Sequence, residues 1–295
     1  MTPSAAAGDS ARSRWNFGGR TIEISKPVLL GIVNVTPDSF SDGGDSYSLD
    51  RGIARALEVL EQGADVADIG GESTRPGAAP VSEDEELRRV IPVIEGVLAA
   101  RPDAVISVDT VKSGVARHAL DSGASIVNDV SGFRLDDGMA GVCSAARCGV
   151  ILMHSRGSVA EMASYAHASY GTDVTGEVIR ELGTSVERAL AAGVERSSIV
   201  VDPGFGFSKT SEHSLAVLRE LERVRGMGFP VMIGVSRKRM IGELTGVERA
   251  VERDLGSVGV AVVALTRGAG VFRVHDVRGH RQALDAAWGV LSSQL

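Results

Sequence analysis

The chain is short of cysteine, carries no excess of positive charge and has no long apolar run, and each shortage excludes something. Its 295 residues include two cysteines, Cys143 and Cys148, close in sequence and with no second pair to complete a metal site. Reduced core thiols in a cytoplasmic protein are the expected reading. A formal net charge of −7 argues against a general nucleic-acid surface. Any anionic substrate must therefore be met by basic residues gathered locally. No apolar stretch approaches the length of a membrane span, and no signal-peptide core precedes Trp15, so no membrane partner is expected.

What is present is a hydrophobic content of 43%, enough to bury a sizeable core in one large α/β domain or two smaller ones. Residues 1–14, rich in Ala and Ser, read as a disordered tail, and no boundary is visible in the single domain expected over 15–295. Trp15–Ser25 reads as a β-hairpin turning at Gly18-Gly19 and plugging the bottom of the fold.

The chain is organised around Leu29–Gly44, LLGIVNVTPDSFSDGG. An unbroken apolar run is the signature of a strand buried on both faces. This one ends in Asn34 and is followed by a polar, glycine-bearing loop. The unit then repeats. Further strands are expected at Ala64–Gly70, Ala104–Asp109, Ser125–Asp129, Gly149–Met153, Ser198–Asp202, Pro230–Val235 and Gly270–Val274. Helical periodicity follows them, notably over Glu83–Ala100, Asp173–Ala192, Glu212–Arg225 and Asp276–Ser292. Eight strand-then-helix units predict a (β/α)8 TIM barrel, with a doubly wound open sheet as the alternative.

The strand ends carry the functional signal. They are Asn34, Gly70-Gly71-Glu72, Asp109, Asn128-Asp129, His154, Asp202, Ser236-Arg237-Lys238 and Arg273 with His275. In a barrel such positions converge on one mouth. A single strand-end Asp is often the cap of the next helix, but Lys238 and Arg273 are poor caps and Asn34, followed by a long loop, is an unlikely one. Asp109, Asn128 and Asp202 suit a planar heterocycle bearing N–H donors, since a buried carboxylate needs such a partner. Arg75, Arg273, His275 and the N–H groups of the glycine-rich loops suit phosphate oxygens. Lys238 fits either group.

In order, the motifs are NVTPDSFSDGG (Asn34–Gly44), GGESTRPG (Gly70–Gly77), SVDT (Ser107–Thr110), VNDVSG (Val127–Gly132), LMH (Leu152–His154), DPGFGF (Asp202–Phe207), SRK (Ser236–Lys238) and RVHD (Arg273–Asp276). From about Val28 to the C-terminus the chain resembles the dihydropteroate synthases. That resemblance implies a transferase of folate biosynthesis joining 6-hydroxymethyl-7,8-dihydropterin pyrophosphate to p-aminobenzoate, with release of pyrophosphate. Position by position, it assigns the pterin to Asp109, Asn128, Met153, Asp202, Phe207, Gly234 and Lys238. It assigns the pyrophosphate to Asn34, Thr74, Arg75, Arg273 and His275, with Asn34 as the protein ligand of a Mg²⁺ ion. Phe40, Thr74, Pro76, Ser236, Lys238 and Arg239 should shape the p-aminobenzoate site, and Asp109, Lys238 and Asp42 should act in catalysis. A homodimer and sensitivity to sulfonamides are implied too.

Two departures stand out. Position 239 is Arg where many members carry Ser, and the loop 154–171 lacks a familiar Pro. Two other classes share part of the pattern: a methyltransferase passing a folate methyl group to a corrinoid, and a non-catalytic pterin binder. The first has no use for TPDSFSDGG or SRK, and the second should have lost loop residues such as Asp42, Arg75 or Lys238, all of which this chain keeps.

Overall fold

A computed structural model of the chain describes residues 13–36, 45–74 and 79–292. Ten strands and eleven α-helices lie among the described residues. The strands are β1 (Ser13–Phe17), β2 (Arg20–Ile24), β3 (Val28–Asn34), β4 (Val66–Gly70), β5 (Ile106–Asp109), β6 (Ile126–Asp129), β7 (Gly149–Met153), β8 (Ile199–Asp202), β9 (Met232–Ile233) and β10 (Val271–Val274). The helices are α1 (Asp45–Glu61), α2 (Glu83–Ala100), α3 (Ser113–Asp121), α4 (Met139–Ala146), α5 (Val159–Met162), α6 (Val174–Ala191), α7 (Ser211–Arg219), α8 (Leu221–Arg225), α9 (Arg239–Thr245), α10 (Asp254–Thr266) and α11 (Val277–Ser292).

Strands β3 to β10 pair in parallel in the order β8-β7-β6-β5-β4-β3-β10-β9, and a bridge between Val201 and Val231 joins the two ends. That bridge nearly closes the sheet into a TIM barrel and removes the open-sheet alternative. The helices cover the outside by amphipathic burial. In α2, Val90, Val93, Ile94 and Val97 turn one stripe inward. Ser82 accepts from the Glu85 N–H to start that helix, and four acidic residues occupy its first turn, where the helix dipole favours them.

Two elements depart from the periodic reading. The helix expected over Glu212–Arg225 breaks at Glu220 into α7 and α8. The long loop after β7 holds the short helix α5, started by a reciprocal capping box between Ser158 and Glu161.

The hairpin β1–β2 plugs the barrel bottom, as its apolar sequence suggests. Gly18 and Gly19 make the turn with positive φ angles of 51° and 79°, the geometry a two-residue hairpin loop requires. Trp15 and Phe17 pack edge to face, with ring centroids 5.5 Å apart, on Leu30, Val66, Ile126, Ile151 and Val200. The Trp15 indole Nε1–H donates to the Ser198 carbonyl at 2.9 Å. Room for the indole comes from Gly149, where a Cβ would lie 3.1 Å from Trp15 Nε1.

Trp15 is fully buried and its one polar atom is satisfied, so Trp15→Ala leaves a large cavity and an unmatched carbonyl. The substitution should cost about 3–5 kcal/mol. Urea unfolding of the two proteins measures this, and an unchanged midpoint would mean that the plug is not part of the core.

Candidate active site

A strand places alternate residues on one face, so a step of two moves one layer up the barrel interior. The lowest interior layer is apolar: Leu30, Val66, Ile126, Ile151, Val200, Met232 and Val271. Two residues further along the same strands stand Ile32, Asp68, Asn128, Met153, Asp202, Gly234 and Arg273. Another step brings Asn34, Gly70, Ser236 and His275 to the rim, with Asp109 level with Gly70. The interior thus changes from hydrocarbon to charge within one residue pair, at the carboxyl ends of the strands. A cavity of ≈ 460 Å³ opens there, lined by Asn34, Thr74, Asp109, Gly234, Lys238 and Arg273 among others. That volume suits a ligand of substrate size.

Arg273 is the hub of the polar layer. Its Nε lies 2.6 Å from Asp68 Oδ2 and its Nη2 lies 2.6 Å from Asp109 Oδ2. The Asn128 amide also donates to Asp68 Oδ2, at 3.3 Å. One guanidinium cannot neutralise two carboxylates. Burial pushes Asp109 up to about 7 against the pull of Arg273, and the Asp68 charge adds to the rise. Asp109 is consequently easier to protonate than an exposed carboxyl. Three buried polar atoms here, Asp68 Oδ1, Ser107 Oγ and Asn128 Oδ1, have no hydrogen-bond partner among the described residues. Such atoms call for a bound water or ligand.

Beside the cavity an apolar cluster meets a second cation. Phe207 and Met153 share an apolar cluster with Val111, Val130 and Met162. Lys238 Nζ sits 3.9 Å from the centroid of the Phe207 ring, and burial together with the Arg273 charge lowers its pKa to about 8. Asp202 accepts the Gly204 N–H at 2.7 Å, while burial pushes its carboxyl up to about 6. The Ser236-Arg237-Lys238 stretch divides its labour. Ser236 Oγ lies 3.0 Å from His275 Nδ1, Arg237 turns away to pair with Asp254 at 2.7 Å, and Lys238 enters the cavity. Arg239 opens α9, exposed, with its guanidinium 4.6 Å from the centroid of the Tyr165 ring.

The structure therefore brings Asn34, Thr74, Asp109, Gly234, Ser236, Lys238, Arg239, Arg273 and His275 around one cavity. Asn128, Met153, Asp202 and Phe207 lie on the strands and loops that enclose it. Phe40, Asp42, Arg75 and Pro76 lie outside the described residues. The strand-end reading missed Asp68, an acid one layer below the rim, whose only signal was a charge inside an otherwise buried strand. It also missed Lys209, which lines the cavity, and the buried Ser107. Asp129, although at a strand end, does not join the cavity: its carboxylate accepts the N–H groups of Ser131 at 2.6 Å and Phe133 at 3.1 Å and so shapes the loop after β6.

The raised Asp202 pKa has a stability consequence with a definite sign. The folded state holds this proton more tightly than the unfolded chain, so the contribution is complete below the ordinary value of 3.8 and is lost as pH rises through about 6. Asp202→Asn keeps an acceptor for Gly204 but never ionises. Its stability relative to the parent should therefore improve by about 3 kcal/mol between roughly pH 4 and pH 8. Denaturant titrations at the two pH values read this difference, and one that does not change with pH would refute the assignment.

Comparison with known proteins places this site in a family. The pterin binding enzyme family matches residues 30–275. Dihydropteroate synthase of Bacillus subtilis is 44% identical over 253 residues, covering 86% of this chain and 85% of its own. The Xanthomonas albilineans dihydropteroate synthase solved with 4-aminobenzoic acid superimposes with a TM-score of 0.88 at 42% identity, covering 96% of this chain and 99% of that one. The same enzyme in complex with 7,8-dihydropteroate gives 0.84 at 40% identity, over 95% of this chain and 99% of that one. With so much of each chain aligned around the same barrel, this protein belongs to the pterin binding enzyme family and, within it, to the dihydropteroate synthases.

Proposed function

We propose that the chain condenses 6-hydroxymethyl-7,8-dihydropterin pyrophosphate with p-aminobenzoate, forming 7,8-dihydropteroate and pyrophosphate. The observation that carries this reading is the division of the cavity. Asp109, Lys238 and Arg273 line it, and the strands and loop beside it carry the acceptors Asn128 and Asp202 and the apolar side chains Phe207 and Met153. Gly234 leaves the slot open: a Cβ there would come 3.8 Å from Asp202 Oδ2 and 3.9 Å from the Arg273 side chain.

The chemistry that fits is a dissociative displacement. The bond between the pterin methylene carbon and the pyrophosphate oxygen breaks with its electron pair leaving on oxygen, and positive charge spreads into the dihydropterin. Asp109 faces that charge. The developing cation favours the ionised form of a carboxyl held near 7, so stabilisation grows as the transition state is approached. Arg273, His275, Thr74 and Arg75 are assigned to the leaving anion. The aniline nitrogen then forms the new C–N bond and gives up one proton. Phe40, Pro76, Ser236 and Lys238 are assigned to holding this amine, Asp42 to assisting Asn34 at the pyrophosphate-bound Mg²⁺, and Arg239 to the carboxylate of p-aminobenzoate.

Asn34 offers one carboxamide oxygen at the anion side of the rim. No group of three or more His, Cys, Asp or Glu residues with metal-site geometry occurs among the described residues. A single oxygen donor fits a Mg²⁺ ion that arrives on the pyrophosphate and keeps its waters, not a caged resident metal. Bound there, Mg²⁺ would supply charge that stabilises the leaving group. Among the described residues no helix is long and apolar enough to cross a membrane. A cytoplasmic homodimer is the state we assign, supported by exposed Leu255 on α10 and Val290 on α11, 89% and 76% accessible on neighbouring helices.

Pyrophosphate release should require both substrates, cease in EDTA and return with added Mg²⁺. Release without p-aminobenzoate that yields no pteroate would point to a hydrolase, and full activity in chelator would remove Asn34 from the metal. Sulfonamides should compete with p-aminobenzoate and not with the pterin. A cation beside the carboxylate end favours a full negative charge over a largely neutral sulfonamide. Arg239→Ser should therefore raise the Michaelis constant for p-aminobenzoate about fivefold, equivalent to ~1 kcal/mol for an exposed charge, with little change in the drug's inhibition constant. Equal shifts in both constants, or none, would show Arg239 to be a solvated helix residue.

A further inference from the structure

Lys209 lies between Phe207 and α7 and is 1% exposed, a rare condition for a lysine. Its Nζ lies 2.7 Å from His154 Nδ1 and 3.2 Å from each of the Gly204 and Phe207 carbonyl oxygens. Those are three acceptors for the three protons of an ammonium group. His154, 3% exposed, places its other nitrogen, Nε2, 3.0 Å from Glu181 Oε2 on α6. With Nδ1 accepting from Lys209, the ring proton sits on Nε2 and points at the carboxylate. Burial keeps the imidazole neutral, with its pKa lowered to about 4. Arg156 completes the chain: its Nε donates to Glu181 Oε2 at 3.0 Å, its Nη2 reaches both Glu181 Oε1 and Glu177, and its guanidinium stacks 4.0 Å from the centroid of the Tyr170 ring.

This chain of bonds ends on the loop that carries Phe207. Gly204 approaches β7 so closely that a Cβ would lie 2.0 Å from the His154 carbonyl oxygen, and its φ of +72° is one that glycine adopts without strain. Lys209 therefore grips, through two backbone carbonyls, a loop already pressed against the strand that bears His154. The side of that loop facing the cavity presents the Phe207 ring to Lys238 Nζ. Burial pulls the Lys209 pKa down to about 7, and the charges of Asp202 and Glu181 act to keep the ammonium form. Losing that proton would leave one of the three acceptors unmatched.

We propose that Lys209 and His154 are positioning residues for the pterin slot: by holding the Gly204 and Phe207 carbonyls they fix the Phe207 ring, so pterin affinity depends on them and aminobenzoate affinity does not. The proposal rests on the reading that Phe207 and Lys238 line the pterin slot, and the variants below separate the two. His154→Asn and His154→Leu form an informative pair, because an Asn Oδ1 takes the place of Nδ1 as acceptor for Lys209, whereas Leu offers none.

The test is calorimetric titration with 6-hydroxymethyl-7,8-dihydropterin pyrophosphate and Mg²⁺, together with steady-state kinetics. Lys209→Met and His154→Leu should each weaken pterin binding about tenfold or more, while the Michaelis constant for p-aminobenzoate at saturating pterin stays within about twofold. His154→Asn should bind the pterin within about threefold of the parent although it lacks the bond to Glu181. Equal losses in the Asn and Leu variants, or a p-aminobenzoate constant that moves in step with the pterin constant, would reduce the pair to a structural role and overturn the proposal. Unchanged pterin affinity in Lys209→Met, alongside a large loss in Lys238→Ala, would overturn it as well. An unchanged affinity in Lys238→Ala would remove the pterin-slot reading and the inference with it.

Discussion

A guanidinium inside a barrel needs anions around it, and the Arg273 ion pairs with Asp68 and Asp109 are the constraint on which the mouth of this protein depends. Removing a cation from water costs several kcal/mol, and only close partners with good geometry offset it. The two carboxylates meet the guanidinium at 2.6 Å from different strands and successive layers, Asp109 level with Gly70 and Asp68 one step below, which ties β4, β5 and β10 together. Asn128 joins the cluster through Asp68, which ties β6 to the same group. Burial and the neighbouring acids raise the Asp109 carboxyl above the ordinary range, and three polar atoms have no partner among the described residues. A layer with this residual demand is prepared for a ligand that brings N–H donors and acquires positive charge.

The apolar parts of the barrel make that polar layer affordable. Below it the interior is filled by aliphatic side chains and sealed by Trp15 and Phe17 from the hairpin, so water cannot reach the ion pairs from underneath. Beside it, the Phe207 and Met153 wall lowers the local dielectric and strengthens each charge interaction across the slot. The same exclusion of water protects a carbocation-like transition state from hydrolysis.

The strand-end residues of the rim and of the layer beneath it were legible in the sequence, and Asp68 was not, for a physical reason. A strand that ends in Asn34, Asp109 or Asp202 announces a polar mouth, because the apolar run stops there and parallel strands converge. Asp68 gives no such notice. It lies in the middle of β4, where period-two alternation is the only guide to direction, and every residue of that strand is buried. Lys209 is harder still, since its partner His154 lies 55 residues away and only the fold brings them together. Glu83–Ala100 was readable to the residue, because its acidic start and apolar stripe agree, despite Pro92 within it. Glu212–Arg225 was not, because both sides of the break at Glu220 keep helical periodicity.

The most direct test of the central claim is calorimetry of 6-hydroxymethyl-7,8-dihydropterin pyrophosphate binding to the parent protein, Asp109→Asn and Asp202→Ala. If the buried acids form the pterin floor, each substitution strands donors of the ligand and weakens binding by about 1–3 kcal/mol, roughly five- to 150-fold. Pterin affinity unchanged in both variants, with the fold intact, would contradict the account.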